Sequence, residues 1–159
     1  MAIQNCNSLN LAGITMNYDT KITAITSVRT DLIFLSDVRI VNSQGIRNDE
    51  RVFNYFRDSK ECSYYAILHS SMNARGVGIL ISHKLDFALI AEERDLDENY
   101  LAVKVEIAGT VYILVSIYGP NNPDRHFFSN LKNSVCKLKG NAEAKIVMGG
   151  DWNCTWDKY

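Results

Sequence analysis

The apolar residues fall into short runs with two distinct periods. Leu32-Ile33-Phe34-Leu35 is continuous, the pattern of a central strand buried on both faces. Leu101, Val103, Val105 and Ile107 alternate with Ala102, Lys104, Glu106 and Ala108. After Gly109-Thr110, Val111, Ile113, Val115 and Ile117 alternate with Tyr112, Leu114, Ser116 and Tyr118. Period two on either side of a glycine turn predicts a β-hairpin. It closes in Gly119-Pro120-Asn121-Asn122-Pro123, a strong loop signal. Asp124 is placed to cap a helix running to about Leu138, with Phe127, Phe128, Leu131 and Val135 inward.

The remaining segments follow the same logic. Residues 1–8 are polar and read as loose, and Leu9 to Ile14 reads as the first strand. From Tyr18 to Arg29, Ile22, Ile25 and Val28 recur at a spacing of three, which suits a short helix capped by Asp19 or Thr20. Asn48 to Glu50 start a second short helix carrying Val52, Phe53 and Phe56. Tyr64 to Leu68, Arg75 to Ile81 and Leu85 to Ile90 are strand candidates. Lys145 to Met148 reads as a last, buried strand broken by Gly149-Gly150. The order is an α/β domain: a mixed sheet with helices on its outer face.

Totals narrow the function. The chain has 159 residues, the length of one domain, and no repeat or linker divides it. Its 47% hydrophobic content and mean hydropathy of -0.12 are those of a globular chain with a core, not a disordered one. A net charge of -1 and a pI of about 6.3 exclude a general basic nucleic-acid tail but leave room for a locally basic cleft. Four cysteines without a C-x-x-C pair read as reduced thiols of an intracellular protein. No long apolar run suggests a membrane span, and no signal peptide is evident, leaving nucleus or cytoplasm as the expected compartment.

Four predicted strand ends carry polar groups: Asn10, Asp37, Tyr118 and the pair Asp151 and Asn153. A carboxylate and a carboxamide two residues apart after a strand point the same way, and together can orient a water and hold a phosphate oxygen. Read singly, Asn10 is equally well a strand-end residue bonded to backbone, and Asp37 a solvated strand end. His69, His83 and His126 read as surface or turn residues.

In this order the quartet resembles the endonuclease/exonuclease/phosphatase family, and within it the apurinic-like endonuclease domain of LINE-type (non-LTR) retrotransposons. The family's opening Asn-x-Asn-Gly is matched to Ser8-Leu9-Asn10-Leu11-Ala12-Gly13, its Gln-Glu to Ser36-Asp37, its Tyr-x-Pro-Asn to Tyr118-Gly119-Pro120-Asn121, and its Gly-Asp-Phe/Trp-Asn to Gly150-Asp151-Trp152-Asn153. Arg75 to Ile81 resembles the family's segment between the second and third motifs. The resemblance implies a four-layer sandwich of packed, mostly antiparallel mixed sheets with helices outside. Residues 1–159 would be its N-terminal part, with the closing Asp-His motif absent and the inner face of one sheet left exposed.

The resemblance also implies chemistry: magnesium-dependent hydrolysis of a phosphodiester, with manganese as a substitute cation. Asp37 would be the metal's main carboxylate, Asp151 would orient or deprotonate the attacking water, and Asn153 would hold a phosphate oxygen. Tyr118 would donate its hydroxyl to the phosphate or reach the metal, and Asn10 would position its neighbours. The substrate would be DNA, nicked to leave a 3′ hydroxyl that primes a partner reverse transcriptase domain. Two departures matter: Asp37 stands where the family has glutamate, and no histidine here falls at the family's closing position. Weak or no activity of the isolated chain is therefore expected. The competing readings are a related RNA deadenylase or inositol/lipid phosphatase, and a non-catalytic remnant that binds DNA or protein.

Overall fold

The computed structural model describes residues 1–6, 18–39, 63–71, 75–122 and 124–154. Two four-stranded mixed sheets carry the architecture. The first takes β1 (Ile3–Cys6), β2 (Leu32–Ser36), β3 (Tyr64–His69) and β4 (Val77–Ser82) in the order β1-β2-β4-β3, with β1 and β2 parallel and the other pairs antiparallel. The second takes β5 (Phe87–Arg94), β6 (Tyr100–Ile107), β7 (Thr110–Tyr118) and β8 (Lys145–Asp151) in chain order, antiparallel except for the parallel pair β7 and β8. Helix α1 (Tyr18–Ser27) precedes β2, and α2 (Arg125–Lys139) connects β7 to β8.

Period two divides the second sheet between two cores. Leu101, Val103, Val105 and Leu114 face the first sheet and pack with Leu32, Phe34, Ile79 and Ile81. Tyr100, Ala102, Ile113, Val115 and Ile117 face the other way, under Phe127, Leu131, Val135 and Leu138 of α2. The hairpin is thus buried on both faces over most of its length, which its half-polar alternation did not suggest. The inner faces of the two sheets bury one another, correcting the expectation of one exposed inner face. Ser116, fully buried, donates its hydroxyl to the carbonyl of Leu35 at 2.9 Å and ties the sheets together near one end.

Several expectations hold. β2 is buried along all five residues as an interior strand between β1 and β4, as its continuous apolar run suggests. The hairpin pairs from Tyr100↔Ile117 to Ile107↔Thr110. Asp124 caps α2, its carboxylate accepting the His126 amide at 2.8 Å. Others need correction. Ile3–Cys6 is a strand within the stretch expected to be loose; the strand expected at Leu9 to Ile14 and the helix expected around Val52 and Phe56 lie outside the described residues. α1 begins at Tyr18, so Asp19 and Thr20 are in its first turn rather than capping it. Val28 and Phe128 are half-exposed: Val28 follows the end of α1, and Phe128 sits beside the inward stripe of α2, its ring edge-on to Phe127 at 5.0 Å. β8 is an edge strand among the described residues, and Ile146 and Met148 are exposed on the face opposite Val147. An apolar run of this length does not distinguish an edge from a central strand.

Candidate active site

One end of the two sheets gathers most of the candidate residues. Tyr118 and Asp151 are directly paired, the last residues of β7 and β8. Both lie on the inner face by alternation, Tyr118 with Leu114 and Ser116, Asp151 with Val147 and Gly149. The parallel pairing continues past the strands: the Gly119 amide donates to the Asp151 carbonyl at 2.7 Å. Gly149 lies over the ring of Phe34, where a Cβ would come within 2.6 Å of Cδ2, so only glycine lets β8 approach the first sheet here. Gly150 has φ of 138°, outside the range of other residues, and turns the chain into Asp151.

Asn153 reaches the same place by a different route from the one its spacing suggested. The strand ends at Asp151, and Asn153 has a left-handed φ of 47°. Its amide donates to Asp151 Oδ1 at 3.0 Å, and its side-chain Nδ2 donates to the Gly119 carbonyl at 2.7 Å. A short turn closed by the aspartate, rather than strand alternation, sets the pair.

The first sheet contributes Asp37. It follows β2, is buried, and has a φ of 56°, a conformation that Asp tolerates better than most residues. Its Oδ1 accepts Arg39 Nε at 2.6 Å in an ion pair. The Arg39 guanidinium is held above its ordinary pKa, first by that hydrogen bond. Partial burial opposes the rise, and the charge of Asp37 and the phenol of Tyr118 add to it. Arg39 also lines a small cavity together with Tyr118 of the second sheet.

Asn10 lies outside the described residues, so its expected role is untouched by the geometry. A different asparagine occupies the end of β1. Asn5, paired with Phe34, donates Nδ2 to the Gly150 carbonyl at 3.0 Å, crossing from the first sheet to the strand that carries Asp151. Sequence reasoning passed it over. The available signal was Asn5-Cys6-Asn7, which has the Asn-x-Asn spacing better than the segment around Asn10. Arg39, which pairs with Asp37, was also passed over. His69 donates from Nε2 to the Asp95 carbonyl at 2.5 Å.

Two mixed sheets packed face to face, with polar residues converging where strands of both sheets end, define the endonuclease/exonuclease/phosphatase fold. Solved structures of that fold superpose on this chain. Humanized D. rerio TDP2 carrying 14 mutations matches 98% of it with a TM-score of 0.63 and 17% identity, over 63% of its own length. D. rerio TDP2 complexed with single-strand DNA product matches 98% with a TM-score of 0.63 and 15% identity, over 62% of its length. The endonuclease domain of TRAS1, a telomere-specific non-LTR retrotransposon, matches 96% with a TM-score of 0.58 and 12% identity, over 58% of its length. At such identities the likeness establishes the fold. The chain spans less than two thirds of each of these structures. No family profile matches the chain, and no curated protein does.

Proposed function

We propose that this chain is the core of a metal-dependent phosphodiesterase, a DNA endonuclease domain of a retrotransposon polyprotein that nicks its substrate. What supports the reading is that Tyr118, Asp151 and Asn153 lie together past the ends of β7 and β8, with Asp37 following β2 in the facing sheet, in a fold shared with a retrotransposon endonuclease domain and with a protein crystallised with a DNA product. DNA as substrate, a reverse transcriptase domain as partner and the nucleus as compartment belong to this proposal.

The residues fit a divalent cation sparingly. Among the described residues no group of three acidic, histidine or cysteine side chains could enclose one. Magnesium, however, binds through one or two carboxylates and keeps several waters, and Asp37 has one oxygen outside its pair with Arg39. Asp37 would hold it. When bound, such a cation neutralises charge on a phosphate and stabilises a leaving oxygen.

The chain's own groups supply the rest. Asp151 orients water through its carboxylate while Oδ1 also fixes the loop that carries Asn153. Asn153 spends one N–H on Gly119 and has another for a phosphate oxygen. Tyr118 offers a phenolic hydroxyl on the same face. Asn5 holds Gly150, and with it the strand that presents Asp151. Supercoiled-plasmid nicking with magnesium tests this. Activity is expected to vanish with chelator and to fall at least about 100-fold in Asp151→Ala, the usual scale for a lost general base. Nicking that persists in Asp151→Ala would overturn the assignment.

One observation favours a second reading, a DNA-binding module without hydrolysis: Asp37 already has a cationic partner in Arg39. DNA binding with no metal-dependent nicking would select it.

A further inference from the structure

We propose that Arg39 and Arg75 form a second phosphate subsite beside the hydrolytic residues, taking a backbone phosphate of the DNA strand adjacent to the one that is cut. The inference deepens the nuclease reading and rests on it.

A cavity of about 180 Å³ opens next to the candidate site, lined by Arg39, Arg75, Tyr118, Gly119 and Asn121. At roughly 30 Å³ per water, it has room for one oxyanion with solvent. Asp151 and Asn153 are not among the described residues that line it; Tyr118 is, and so borders both this cavity and the hydrolytic residues.

The two arginines are adjacent by construction. Beyond the paired strands β2 and β4 the chains remain bonded: the Val38 amide donates to the Gly76 carbonyl at 3.0 Å, and the Arg39 amide to the Arg75 carbonyl at 2.9 Å. Both arginines have left-handed backbones, with φ of 46° and 65°. Side chains larger than glycine adopt that conformation only where surrounding bonds impose it.

Two guanidinium groups line the cavity. Arg39 is neutralised by Asp37. Arg75 has no carboxylate at ion-pairing distance among the described residues; its Nη1 donates instead to the neutral carboxamide oxygen of Asn99. That carboxamide is itself oriented, since Asn99 Nδ2 donates to Asp95 Oδ2 at 2.9 Å and the Asn99 amide to the same oxygen at 3.1 Å. Asp95 therefore aims Arg75 through Asn99. Arg75 also lines a neighbouring cavity with Asp97 and Asp124, while the cavity it shares with Arg39 and Tyr118 has no carboxylate among its described lining residues. An arginine fork with spare donors suits the oxygens of a phosphodiester, and the neutral donors of Tyr118 and Asn121 complete the lining.

The experiment is fluorescence anisotropy of a 5′-labelled single-stranded DNA oligonucleotide in chelator across a salt series, run beside plasmid nicking. Arg75→Gln is expected to bind roughly tenfold more weakly, the loss of one charge-assisted contact. Its slope of log affinity against log salt should flatten by about 0.7, the release expected per phosphate contact on a single strand. Arg75→Lys, which keeps stem and charge should glutamine unfold the chain, is expected to hold the slope and bind several-fold more weakly. Lys145→Gln, at the opposite end of β8 from Asp151, is expected to leave the slope unchanged. Wild-type slope in Arg75→Gln, wild-type affinity in Arg75→Lys, or the same flattening in Lys145→Gln would each overturn the subsite. Wild-type nicking alongside an unaltered Arg75→Gln slope would discard the subsite and keep the nuclease. A flattened slope without nicking in the wild type would keep the subsite and discard hydrolysis. No DNA binding by the wild type would overturn both.

Discussion

Asp37 and Asn153 owe their positions to backbone that few residues adopt, with φ of 56° and 47°. Glycine plays a different part at Gly119, where a Cβ would run into the carbonyl of Trp152. Gly119→Ala is therefore expected to push the Trp152–Asn153 turn away from the 2.7 Å bond that holds Asn153. Stability should fall by about 1–3 kcal/mol, the scale of overpacking, and nicking by tenfold or more. Gly109→Ala is the matched control. Gly109 has φ of 76° but open space around it, so only backbone strain of about 1–2 kcal/mol should appear in the melting temperature, with nicking intact. At this scale the sequence was legible where a polar residue followed a strong apolar run, as with Asp37 after Leu35, Tyr118 after the hairpin and Asp151 after Met148. It was illegible at Asn5, whose strand is four residues long and too short to show a period. Arg39 and Arg75 escaped because a charged loop residue reads as solvated until backbone pairing sets two of them side by side.

Elements with a sustained period came through most clearly: the hairpin of β6 and β7, and α2 with its Asp124 cap. Their packing was less legible, because both faces of the hairpin are covered and the second cover, α2, arrives later in the chain. Tyr100 lies at that seam, buried, its hydroxyl 2.9 Å from Ser134 Oγ and its ring edge-on to Phe127 at 6.2 Å. Burial raises its pKa above the usual 10.0; the Ser134 hydrogen bond partly offsets this, and Asp95 and Glu93 add to the rise. A raised folded-state pKa contributes stability that is intact below the unfolded value and drains away as pH climbs through the folded one. Melting temperature is thus expected to drop from about pH 10 upward, and Tyr100→Phe to remove that component of the drop. An equal slope in both proteins would count against it. On the same seam, Leu131→Ala should cost about 2–5 kcal/mol by denaturant unfolding, since Leu131 is buried in the stripe that α2 lays on the sheet.

Among the described residues the two sheets share one core, a second lies under α2, and the Ser116 hydroxyl is a polar tie between the sheets. Ser116→Ala leaves the Leu35 carbonyl buried without that donor and is expected to destabilise by about 1–3 kcal/mol in urea, with nicking reduced by more than the folded fraction accounts for. The overall α/β class was readable from the order of runs. The division into packed mixed sheets was legible only through the motif resemblance and not from the runs themselves, since local periods do not report which strands pair.

That division has a consequence for how function fails. Asp37 and Asn5 belong to one sheet, Tyr118, Asp151 and Asn153 to the other, so their spacing is the lateral register of a sandwich rather than the geometry of any loop. A compact, loosened state that keeps its strands but lets the sheets slip would retain its far-ultraviolet circular dichroism and lose its site. Titrating with mild denaturant, nicking should disappear together with the near-ultraviolet signal of the packed aromatics and ahead of the backbone signal. Coincident loss of all three would mean that the sheets separate only when they melt.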